Sequence, residues 1–231
     1  MEKEQLQLND TTLEILRNDM THHINPLTKN FDLTEEQRQT ILQDDFLLLL
    51  SVIADQSVSY KISWGITFKL QAKLGVQKLT PQYLLDNADL LKKVMKDKPA
   101  LHRYPDKMTE YFLSLCQILI ADYNGEANQL LNSADFSELV RRLVKVKGIS
   151  RKKAGLTCLI LELDKGRKIQ GIEHSYALVD THVQHFLQKE LGITRRITEA
   201  EATQIFKTIY PENPALVSTV VWRHDKGIKI G

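Results

Sequence analysis

The sequence has little of several things. It carries two cysteines in 231 residues, Cys116 and Cys158, each inside an apolar, helix-patterned stretch. Two thiols are too few to hold an iron–sulfur cluster alone, and no Cys-x-x-Cys offers a zinc site. Buried, reduced thiols are the expectation, in a reducing cytoplasm. No apolar run approaches the ~18 residues needed to span a membrane. Nor is there an apolar N-terminal run of the secretory kind, so a cytoplasmic protein is expected, nucleoid-associated if bacterial. A charge excess of one sign is missing too. The formal net charge is +2 and the pI about 8.4, so overall charge does not announce a nucleic-acid partner. Period-two alternation is absent, and Asn124-Gly125 closes a helical pattern rather than joining two strands. Internal repeats and low-complexity stretches are absent as well.

What is present is apolar residue in helical rhythm. Residues of that class make up 42% of the chain, enough for a packed core. Asp10-Thr11-Thr12 is expected to cap a first helix that ends near Asn25-Pro26. Thr34-Glu35-Glu36-Gln37 has the form of a capping box. Asp44 or Asp45 then opens a helix over 46–54 that is apolar nearly all round, the mark of a buried centre. The pattern breaks over 55–59 and resumes as one helix over 60–74, with Ile62, Ile66, Phe68 and Leu70 on its apolar side. Trp64, Phe68 and Phe112 read as core. Thr80-Pro81 is expected to open another helix, and further helices are expected over 86–95, 106–123, 126–131, 135–144, 156–163, 181–191, 198–210 and 214–223, with a loop over 165–178. The fold class is all-α.

Two phrases stand apart. Val144 to Ala154 reads V-K-V-K-G-I-S-R-K-K-A, a tight turn dense in cations between two apolar helices. Helix, basic hairpin, helix is a geometry suited to a phosphate backbone. Gly148 lets the backbone approach closely. The first amides of the second helix have no partner within it. Lys147, Arg151 and Lys153 add counter-charge. Lys152 sits at the helix start, where it can do chemistry as well as bind. The second phrase is Val179-Asp180-Thr181-His182-Val183. A bland reading of each exists: solvated cations on a helix face, and a helix cap at Asp180.

Four phrases, in order, carry a resemblance. They are Leu48 to Ser57 (L-L-L-S-V-I-A-D-Q-S), His102-Arg103-Tyr104-Pro105-Asp106-Lys107 with the helix that follows, Val146 to Ala154, and Val179 to Val183. The chain resembles the helix-hairpin-helix DNA glycosylase superfamily that includes endonuclease III. The resemblance runs from about residue 45 to 223. The hairpin departs from the family pattern: Lys147 stands at its usual proline and Ser150 at its second glycine, so an altered turn is expected. The stretch between Lys152 and Asp180 is longer than in the endonuclease III branch. No four-cysteine loop follows Trp222-Arg223-His224, so the resemblance is to a branch without the cluster.

The resemblance implies two lobes with the active site in the cleft between them, one over 44–164 and one built from 1–43 and 165–231. It implies a base-excision DNA glycosylase with lyase activity, with Lys152 as nucleophile and Asp180 as the essential carboxylate. Lys153, by a one-residue slip of register, is the alternative nucleophile. Lys147, Gly148, Ser150, Arg151, Lys153 and His182 are expected on the DNA, with Gln56 filling the gap left by an everted base. His174 and Tyr176 are candidate pocket residues. No organic cofactor or cluster is expected, with room for a monovalent cation at the hairpin. The expected partner is lesion-bearing double-stranded DNA, bound by a monomer, with no membrane. A glycosylase without lyase activity and a non-catalytic hairpin module remain open.

Overall fold

A computed structural model describes residues 6–22 and 26–228. Among them are fourteen α-helices and no strand, apart from one isolated bridge between Asp135 and Gln170. The expected stop at Asn25 lies outside the described residues. The first helix, α1, runs Asp10–His22, and the side chain of Asn9, rather than the Asp10 to Thr12 group, accepts the Thr12 amide at 2.9 Å. Helix α2 (Glu35–Gln43) begins with the Thr34–Gln37 capping box, as its sequence requires.

The centre is α3 (Asp45–Ala54), in which every residue from Phe46 to Ala54 is buried. Asp44 caps it, accepting from the amides of Phe46 at 2.9 Å and Leu47 at 3.2 Å. One cap side chain thus satisfies two of the amides a helix start leaves open. The expected helix over 60–74 is instead two, α4 (Tyr60–Ser63) and α5 (Ile66–Leu74), with a turn at Trp64-Gly65. The break redirects the chain. Ile62, expected on the apolar side, is exposed, while Trp64 is wholly buried and stacks on Phe31 with ring centroids 4.1 Å apart.

Helices α6 (Pro81–Asp86), α7 (Ala88–Lys96), α8 (Pro105–Tyr123) and α9 (Ala127–Leu131) pack among themselves, with α5, α8 and α9 against α3. Next come α10 (Phe136–Leu143), the hairpin, and α11 (Arg151–Leu163), whose middle is buried against α3. The last helices are α12 (Thr181–Leu191), α13 (Glu199–Ile209) and α14 (Pro214–Asp225). They form a second group with α1, and α11 touches it through α14.

Two sets of polar contacts hold the groups together where it matters for the cavity. Asp164, at the end of α11, accepts from the amides of Leu27 (2.9 Å) and Thr28 (3.0 Å) and from the Thr28 hydroxyl. That brings the 26–31 turn against α11. Ser175, Ala177 and Leu178 bond to Asn213, Thr203 and Ser218, so the segment before Asp180 is pinned to α13 and α14. Gly155 lets that segment run tight against α11. A Cβ there would lie 2.5 Å from the Leu178 Cδ2.

Candidate active site

The hairpin is built around Gly148. Its φ is +90°, and a Cβ on it would stand 2.5 Å from the Tyr111 ring. Both facts demand glycine. Ser150 does not need the left-handed region. Its φ is −79° and it is the N-cap of α11, its hydroxyl accepting the Lys153 amide at 3.4 Å. The strain expected from a serine at a left-handed position does not arise here. Ser150 caps a helix, a role in which serine is favoured over glycine.

Adjacent lysines at the start of α11 go to different places. Lys153 is buried, and its ammonium donates to the Ile53 carbonyl at 2.8 Å and the Gly148 carbonyl at 2.9 Å. Burial lowers its pKa to about 8, against the pull of Asp55 and with the help of Lys152 and Lys107. Lys152 is half-buried and lines a cavity of about 420 Å³. Asp180 lines the same cavity. It is the N-cap of α12, its Oδ1 accepting the Val183 amide at 2.9 Å. The two expected catalytic residues, twenty-eight positions apart, thus meet on one hollow. Lys153 faces inward with its amine held by two carbonyls, and it does not line this cavity.

The cavity's other walls come from the 26–31 turn (Leu27, Asn30, Phe31), from Asp55 and Ser57 to Tyr60, and from Ser218, Trp222, Arg223 and Lys226 of α14 and its end. Sequence reading did not single these out. Only Asp55 carried a signal, as the acid that ends an otherwise apolar helix. It sits at the C-terminus of α3, and the Ser63 hydroxyl donates to it at 3.1 Å. Burial raises its pKa. Lys152, the Ser63 bond and Lys153 pull the other way, and Asp180 adds to the rise. His182 is also in the wall. Its Nδ1 donates to the Asp225 carboxylate at 2.6 Å, and its ring meets Trp222 edge-on.

A second hollow adjoins the first. Gln56, Gly148, Ser150, Lys152 and Lys153 line it, together with Asp55, Ser57, Tyr111 and Ile149. Five of the expected site residues therefore share this face. Behind it, His102 is buried and fixes the turn after α3. It takes the Tyr104 amide on Nδ1 at 3.0 Å and donates from Nε2 to the Ala54 carbonyl at 3.2 Å. Lys147 and Arg151 line neither hollow. Lys147 pairs with Glu110 at 2.9 Å and Arg151 with Glu199 at 3.1 Å. Arg141 and Arg142 both hold Glu138.

Tyr176 and His174 do not line the cavity, correcting that expectation. Tyr176 is buried, donates its hydroxyl to the Arg151 carbonyl at 2.7 Å, and lies under the Arg151 guanidinium at 4.0 Å. It braces the hairpin. His174 is exposed beside Glu173. The loop over 165–178 thus supports the site through Tyr176 and adds Leu178 to the cavity wall.

Among the described residues no three His, Cys, Asp or Glu side chains gather to hold a metal ion. Cys116 and Cys158 are buried in α8 and α11, and burial pushes both thiols up to about 12. A monovalent cation at the hairpin fits poorly at the Gly148 carbonyl, where the Lys153 ammonium already stands.

Neither family sequence models nor curated protein sequences give a match. Among solved structures, the chain is similar to endonuclease III trapped as a covalent intermediate with DNA, in a complex with an estranged adenine. The TM-score is 0.59 at 20% identity, covering 94% of this chain and 86% of that one. The chain has the all-helical fold of endonuclease III.

Proposed function

We propose that the protein is a DNA glycosylase of base excision repair that works through a lysine Schiff base. The observation that carries this reading is the meeting of Lys152 and Asp180 on one cavity beside a helix-hairpin-helix. The similarity to endonuclease III, caught covalently on DNA, supports it. Open hairpin amides and the N-terminus of α11 would hold the backbone of a lesion-bearing duplex. A target nucleotide turned out of the stack would enter the cavity, while Gln56, on the adjoining face, fills the space it left.

Chemistry then falls to two groups. The Lys152 amine attacks C1′ of the sugar and the bond to the base breaks. Asp180 stabilises the positive charge that grows on the sugar. The sugar ring then opens, the C1′–O4′ bond breaking as O4′ takes a proton from the amine nitrogen, and the resulting Schiff base allows β-elimination and strand cleavage, the lyase step. Asp180 is held by a backbone amide rather than by a cation, so its charge stays available to the sugar.

Borohydride trapping tests this. Wild-type protein with duplexes bearing single lesions or an abasic site should give a covalent adduct, and Lys152→Ala should give none. Asp180→Asn should keep the helix cap and DNA affinity, since asparagine caps as well as aspartate, yet lose base excision by about a hundredfold or more. An undiminished adduct in Lys152→Ala would sink the nucleophile assignment. Excision without any adduct would leave a glycosylase lacking lyase activity. Lesion-blind binding with no excision would leave a hairpin module alone. A panel of oxidised, alkylated and mismatched bases, scored for cleavage, identifies the substrate.

A further inference from the structure

We propose that Asp55 is the proton carrier of this site: it takes the proton from the Lys152 ammonium and hands it to the departing group. This rests on the Schiff-base reading above. The cavity holds two carboxylates, and their settings differ. Asp180 stands at the N-terminus of α12, the helix end that favours an anion. Asp55 stands at the C-terminus of α3, the end that disfavours one. It is the carboxylate that lines both hollows with Lys152.

The groups that act on Asp55 come from several elements. Lys152 and Lys153 approach from α11, Asp180 from α12 and Ser63 from α4. His102 supports the carbonyl of the preceding residue, Ala54. Burial and Asp180 make the carboxylate more basic than usual, while Lys152 and Lys153 keep it within reach of ionisation. Two carboxyls in unlike surroundings on one cavity are the pattern of a divided acid–base task.

The step balances without a further reactant. The proton passes from the Lys152 ammonium to a carboxylate oxygen of Asp55. The freed lone pair forms the Nζ–C1′ bond as the C1′–base bond breaks. The proton on Asp55 then goes to the departing base. On an abasic site Asp55 carries two protons in turn from the amine nitrogen to the aldehyde oxygen; the Nζ–C1′ bond forms first, then the C1′–O bond breaks as water leaves and the C=N bond closes.

Adduct formation on a duplex with one abasic site, trapped with borohydride from pH 6.5 to 9.5, reads the role. Asp55→Asn keeps an acceptor for the Ser63 hydroxyl but cannot carry the proton. It should slow trapping by about a hundredfold at neutral pH, the lower end of general acid–base effects. Most of the loss should be recovered near pH 9.5, where hydroxide can replace the carboxylate as base. Asp55→Glu should restore part of the rate at neutral pH. Affinity for a duplex with an uncleavable abasic analogue should stay within about twofold.

Trapping of Asp55→Asn at the wild-type rate across that range overturns the proposal and leaves the Schiff base standing. So does a loss that is equal at every pH, or one matched by lost affinity, since either marks a structural role. No wild-type adduct on any duplex overturns the Schiff base itself, and Asp55 with it.

Discussion

Lys153 donates its ammonium to the Ile53 carbonyl at 2.8 Å, a bond across one hundred residues that ties the start of α11 to the end of α3. Its neighbour Lys152 lines the cavity instead. Successive helix residues point about 100° apart. One lysine therefore serves the framework while the next faces the hollow.

Lys153 gives a pH signature. Its folded-state pKa is about 8, below the ordinary 10.5. Between those values the unfolded chain holds the proton and the folded one does not. Stability therefore rises with pH across that window, by about 3 kcal/mol in order of magnitude. Below pH 8 both states are charged and the contribution is flat. Urea melts at pH 7.5, 9 and 10.5 should show the rise in wild type and its loss in Lys153→Met.

Gly148 should tolerate no side chain. Gly148→Ala meets both the positive φ and the Tyr111 ring at 2.5 Å. A loss of about 2–4 kcal/mol in stability is expected, the sum of overpacking and backbone strain. DNA affinity should fall with it. Adding Tyr111→Ala relieves the clash alone, so thermal melts of the double variant should recover only part.

Ser150 separates the cap from the charge. Ser150→Ala should cost about 1 kcal/mol and Ser150→Gly a few tenths. Ser150→Asp keeps the cap and should match wild type in melting temperature. It places a negative charge at the hairpin, so duplex binding should weaken by about tenfold, read by fluorescence anisotropy at low salt.

Arg151 is paired with Glu199 at 3.1 Å. An exposed pair of this kind is worth about 0.2–1 kcal/mol. Glu199→Gln should release the guanidinium and tighten duplex binding by up to about fivefold, with little change in stability. Unchanged affinity would place Arg151 away from the DNA.

Much of the framework is legible one residue at a time. Thr34 caps where its spacing says, and of the two candidates Asp44 and Asp45 it is Asp44 that caps α3. The 46–54 run is buried because nothing else can be done with nine such residues in water. Harder to read was the break at Trp64-Gly65, since its cause is the burial of Trp64 against Phe31, thirty-three positions away. Ser150 was legible as a departure but not as a cap, because its role depends on where α11 starts.

The sequence alone determined the helical class and the hairpin with its one indispensable glycine, and it singled out Lys152 and Asp180 as candidates. Local periodicity, capping and a resemblance in four ordered phrases suffice for those. Only the tertiary structure decided which lysine faces the cavity and which is buried. It also turned Tyr176 from a pocket candidate into a brace under Arg151, and brought Asp55 beside Lys152. Those outcomes depend on packing between α3, α11 and the 175–180 segment, and a side chain's surroundings there come from residues far away in the chain.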